Sequence, residues 1–84
     1  MSNGIHLVSV HPLCKIHATI DGKWQITESL GDSGHMCRFP GDPLKFIVAK
    51  VDFFKNGKVK GYIYGQGRFA TMAEADAFIT EAVA

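Results

Sequence analysis

Eighty-four residues with nine basic and eight acidic side chains make a nearly neutral chain of net charge +1. The length holds one hydrophobic core and no second, and 46% apolar with 20% charged residues is a globular composition, not a disordered one. So even a balance excludes any overall electrostatic pull toward nucleic acid or anionic membrane, leaving that role to a local patch; no run approaches the ~20 apolar residues of a membrane-spanning helix.

Residues 5–10, Ile-His-Leu-Val-Ser-Val, are rich in β-branched and apolar side chains and are predicted as a strand, ended by Pro12. No basic segment precedes this short run. It therefore reads as a strand and not a secretion signal, and the cytoplasm is the expected location. Residues 14–20 form a second strand, with Cys14, Ile16, Ala18 and Ile20 on one face and Lys15, His17 and Thr19 on the other. Asp21-Gly22 then turns the chain into a third strand, 23–29. A two-residue turn would set Ala18 against Gln25 and Ile16 against Thr27, mixing apolar and polar side chains. A three-residue loop, Ile20-Asp21-Gly22 with Gly22 left-handed, pairs Thr19 with Lys23 and sets Ala18 against Trp24 and Ile16 against Ile26. The apolar face is continuous only in the second register, which is the one expected.

Residues 29–43 are rich in Gly, Ser, Asp and Pro and form a long connection, with a short edge strand at 36–39. Connections of this length in small domains often carry function. Residues 44–54 are the strongest strand signal, and Asn56-Gly57 returns the chain into a strand over 58–65. A three-residue loop, Lys55-Asn56-Gly57, pairs Phe54 with Lys58 and Phe53 with Val59. Ile47, Ala49, Val51, Phe53, Val59 and Ile63 then share an inner face, and Gly61 sits opposite Val51, where its missing side chain admits the helix. A two-residue turn would send Tyr62 and Tyr64 inward instead.

Thr71-Met72-Ala73-Glu74 is a capping box and opens a helix over 72–83. Ala75, Phe78, Ile79 and Ala82 make its apolar stripe. The expected fold class is α+β: an antiparallel sheet of four to five strands, built on two β-hairpins, packed on one C-terminal helix, with residues 1–84 as a single compact domain.

The residues that could carry chemistry are few. His11, Cys14, His17, His35 and Cys37 have metal-ligating side chains, but on a strand Cys14 and His17 project to opposite faces. No metal is expected. Two cysteines suit a reducing compartment, and the sequence leaves open whether Cys14 and Cys37 are bridged. Neither cysteine sits in a nucleophile signature, and the glycines of Gly61–Arg68 match no phosphate-binding spacing. No enzyme activity and no cofactor are expected.

The outer face of the second hairpin is the candidate site. In the expected register Lys50, Phe54, Lys58, Lys60, Tyr62 and Tyr64 point away from the helix, with Arg68 just beyond. Aromatics among cations suit a protein interface, and they also suit stacking on bases with neutralised phosphates.

The run from Tyr64 through Phe69-Ala-Thr71 to Glu74-Ala75 and Phe78 resembles the close of two small DNA-binding families, the plant APETALA-type and the integrase arm-binding domains. There a strand steps into a packing helix and the free sheet face enters a DNA groove, so the resemblance implies a nucleic-acid partner. In size and build the chain also resembles the small inhibitor proteins of phage and mobile elements, anti-CRISPR proteins among them, which implies a protein target. The main expectation is a non-enzymatic binding protein docking on another protein or protein complex through the Phe54/Tyr62/Tyr64 face. A nucleic-acid-binding module using Lys50, Lys58, Lys60 and the same aromatics is the alternative, and a homodimer through sheet edges or this face is the third reading.

Overall fold

The computed structural model describes residues 3–30 and 44–83. The fold is α+β, with five antiparallel strands among the described residues: β1 (His6–Val10), β2 (Cys14–Ala18), β3 (Trp24–Ser29), β4 (Phe46–Phe53) and β5 (Val59–Phe69). Helix α1 (Met72–Val83) follows. Each strand neighbours the one before it, so among the described residues the sheet is a meander with β1 and β5 at its edges. The edge strand expected at 36–39 lies outside the described residues. Cys14 is a free thiol, so the bridge to Cys37 that the sequence left open is not formed.

The helix starts as its sequence dictates. The Glu74 amide donates to the Thr71 hydroxyl at 3.2 Å, and that hydroxyl donates to the Glu74 carboxylate at 3.1 Å. Ala75 and Ile79 are fully buried against Trp24, Ile26, Phe46 and Val48. Phe78 meets Trp24 edge-on, centroids 6.3 Å apart, and Phe69 at 5.3 Å. Ala82, expected in the stripe, is exposed. Asn3 straps the start of the chain to the helix, its side-chain amide donating to the Asp76 carboxylate at 2.6 Å and to the Thr80 hydroxyl at 3.0 Å. A twelve-residue helix does not hold in water alone. Burying Ile79, worth roughly 1.5–3 kcal/mol, and its neighbours holds it here.

The first hairpin corrects the expected register. Ala18 pairs with Gln25 and Ile16 with Thr27, leaving Trp24 beside Thr19 and Ile26 beside His17 on the helix side. The loop has four residues, 20–23. Its Asp21 carboxylate accepts from the Thr19 hydroxyl at 2.6 Å and the Lys23 amide at 3.0 Å, while Thr19 accepts from the Trp24 amide at 3.2 Å. Gly22 is left-handed, as expected (φ 72°). Face continuity misled because both faces of this sheet are buried at its centre. Thr27 and Ser29, on the side away from the helix, are as inaccessible as Trp24 and Ile26.

The second hairpin keeps its loop and changes its faces. Phe54 donates to Lys58 across Lys55-Asn56-Gly57, and Phe53 pairs with Val59, as expected. Lys60 is then an extra residue in β5, so Gly61 pairs with Asp52, Tyr62 with Val51 and Ile63 with Lys50. One inserted residue exchanges the two faces of everything after it. Tyr62 thus joins Ile47, Ala49, Val51 and Phe53, and Ile63 leaves them. That group does not face the helix either: Phe46 and Val48 do. Four consecutive buried residues, 46–49, carry no alternation from which to choose a face.

A second irregularity, around Gly65 (φ 85°), lets β5 run on to Phe69, four residues past its expected end. The glycine under the helix is Gly67 and not Gly61. A Cβ on Gly67 would lie 2.8 Å from the Phe69 ring, whereas one on Gly61 would meet nothing within 4 Å.

Candidate functional site

The sheet face away from α1 gathers apolar side chains from both of its edges. Val8 of β1, Ile16 and Ala18 of β2, Val51 of β4 and Val59 and Tyr62 of β5 line one cavity of about 150 Å³. In a flat sheet β1 and β5 would stand roughly 19 Å apart. Sharing a cavity means that the sheet curls toward this face, and Ala49 and Thr27 are buried on the same side. Gln25 lines the cavity, and its side-chain oxygen is buried with no donor among the described residues.

At the β5 rim the face becomes aromatic and open. Tyr62 and Tyr64 stand side by side, ring centroids 6.4 Å apart at 50°. Phe53, Val59, Tyr62 and Tyr64 are 40–53% exposed. This exceeds the scatter of single surface hydrophobes.

The seven candidate site residues do not share this face. Tyr62, Tyr64 and Arg68 follow its alternation. Lys50 is a correction: it pairs with Trp24 on the helix side, its ammonium over that ring. Phe54 and Lys58 close the hairpin tip, and Lys60 is the bulged residue at the edge. The face therefore carries aromatic and aliphatic side chains, with lysines around its rim. Phe53 and Val59 were missed as site members because the expected register turned them inward. Their pairing is the expected one, but the helix covers the face of Phe46 and Val48 instead, and the bulge at Lys60, which nothing in the local sequence calls for, then brings Tyr62 and Tyr64 beside them.

On the other side of the sheet, α1 lies mainly across β4 and β5 and reaches Trp24 of β3, and an open cleft of about 490 Å³ remains beside its first turn. Ile5, Leu7, Phe46 and Met72 form its apolar walls. His17 Nε2 lies 3.2 Å from Glu28 Oε1 within it, both side chains mostly buried. These two residues sit on one face as diagonal cross-strand neighbours of β2 and β3. His17 thus turns to the helix side while Cys14 follows the opposite alternation. Among the described residues no three His, Cys, Asp or Glu side chains gather into a metal-binding group. Among those residues, too, no helix is long and apolar enough to cross a membrane.

The fold and both clefts are thus built from ordinary strand and helix chemistry. No family model, curated protein or solved structure matches this chain.

Proposed function

We propose that the chain is a non-enzymatic binding protein of the cytoplasm that docks on another protein through the concave, aromatic-rimmed face of β4 and β5. One observation carries the reading: Phe53, Val59, Tyr62 and Tyr64 form an exposed apolar group continuous with an apolar trough, and the lysines stand outside it. Interface centres have this composition, depleted of charge and enriched in aromatics, with charge at the rim. Stacking on nucleic acid would favour cations interleaved with the tyrosines, and Lys50 stands on the other side of the sheet. In the finer form of the proposal the chain is a stoichiometric inhibitor of a host complex, of the kind phage and mobile elements encode.

Capture with the immobilised chain tests the reading, comparing it with a Phe53→Ala/Tyr62→Ala variant of unchanged unfolding midpoint. The expected result is a partner protein lost on substitution and retained at raised salt. An unchanged capture pattern overturns the reading. Light scattering at several concentrations reads self-association separately, and retardation of oligonucleotides at low salt with a steep salt dependence would assign the face to nucleic acid instead.

A further inference from the structure

The backbone beside the tyrosine face specifies the shape of what can dock there. Val51 donates its amide to the Lys23 carbonyl, on the β3 side, at 2.9 Å. Peptide groups alternate along a strand, so Lys50 and Asp52 direct theirs to β5, where they meet Ile63 and Gly61. The amide and carbonyl of Tyr62 then point outward from the sheet edge, and those of Tyr64 follow by alternation. Neither residue has a backbone partner on that side among the described residues. Outward peptide groups flanked by exposed apolar side chains are a template for one more strand.

Charge decides which strand. Residues 50–64 hold four lysines against Asp52 alone, while the rest of the chain has five basic and seven acidic residues. A second copy of β5 laid parallel along this edge would set Lys60 against its own copy, the like-charge contact by which natural edges refuse their own kind. A strand carrying carboxylates would turn the same lysines into partners. The bulge at Lys60 and the irregularity around Gly65 limit the regular edge to residues 61–64, so the added segment is short.

We infer that the free edge of β5, centred on Tyr62, receives a short extended acidic segment of a partner protein as a sixth strand. The inference rests on the protein-docking reading of the tyrosine face. The apolar side chains of the added strand lie against Tyr62 and Tyr64, and its carboxylates reach Lys58 and Lys60.

The test is selection of a displayed random-peptide library on the intact chain, then amide hydrogen exchange of the chain with a synthetic copy of the most enriched peptide. The expected peptides alternate Asp or Glu with β-branched or aromatic residues and slow exchange at the Tyr62 and Tyr64 amides. Lys58→Glu/Lys60→Glu, with unchanged unfolding midpoint, should weaken their binding by about tenfold or more. No enrichment, enrichment without acidic excess, or protection elsewhere on the chain overturns the inference. Peptides that depend on Phe53 and Tyr62 yet leave the edge amides unprotected would sink the edge and spare the face. Protection of the same amides by oligothymidylate, with no peptide selected, would assign the edge to nucleic acid.

Discussion

The ammonium of Lys50 lies 5.9 Å from the centroid of the Trp24 ring, on the sheet face that α1 covers. The two residues are direct cross-strand partners of β4 and β3. Lys50 thereby caps an aromatic that Phe78 holds edge-on from the helix. Replacing Lys50 with Ala should lower stability by about 0.5–1 kcal/mol, the scale of a partly exposed cation–π contact. Urea unfolding followed by Trp24 fluorescence measures it. A larger loss of partner binding than of stability would return Lys50 to the docking surface.

Gly67 and Gly61 should respond oppositely to the same change. A Cβ at Gly67 would meet the Phe69 ring at 2.8 Å and the Phe78 ring at 3.8 Å. Gly67→Ala is expected to cost about 1–3 kcal/mol by displacing that aromatic pair. Gly61→Ala places its methyl in open space and should leave stability within about 1 kcal/mol of the parent or raise it. Equal unfolding midpoints for the two variants would contradict the observed register.

Asp21 links the first hairpin to pH. The hydrogen bond from the Thr19 hydroxyl, and then that from the Lys23 amide, hold its carboxyl below the ordinary aspartate value. A carboxyl whose folded pKa is depressed contributes stability above the unfolded pKa and loses it as pH falls through the folded one. Urea midpoints measured between roughly pH 6 and pH 2 should therefore show the parent and Asp21→Asn converging as the solution is acidified. A gap that stays constant over that range would remove Asp21 from the account.

Helix docking depends on Ile79. Its side chain is 1% exposed and has Ala75, Trp24 and Val48 in the same buried cluster. Ile79→Ala should cost about 2–5 kcal/mol. Thr71→Ala, which removes the cap alone, should cost about 0.5–2 kcal/mol. Thermal unfolding of both variants checks the order, and a cap variant as damaging as the core variant would show that the helix is held from its end.

Several features followed from local chemistry and needed no tertiary information. Thr71 and Glu74 mark the helix start because the hydroxyl accepts from an amide that the helix leaves free, the one three residues on, and itself donates to that residue's carboxylate. Ala75 and Ile79 recur at the helical period, so they had to be buried together. Asn56-Gly57 fixed a three-residue loop because the chain there requires a left-handed residue. The α+β class, the four to five strands and the two hairpins rest on such short-range signals, whereas the meander order of the sheet is a finding of the structure.

Which face each strand shows was decided only in three dimensions. Thr27, Ser29 and Ala49 are buried on the face away from α1, so polarity no longer distinguished inside from outside. One extra residue, Lys60, then exchanged Tyr62 and Ile63 between faces. Because side chains alternate with a period of two, a single-residue slip reverses everything beyond it. The sequence by itself determined where this chain turns, where it becomes helical and that aromatics and lysines cluster near its second hairpin. The tertiary structure alone separated the tyrosines from Lys50, since the separation depends on a bulge whose position is set by how the whole sheet packs.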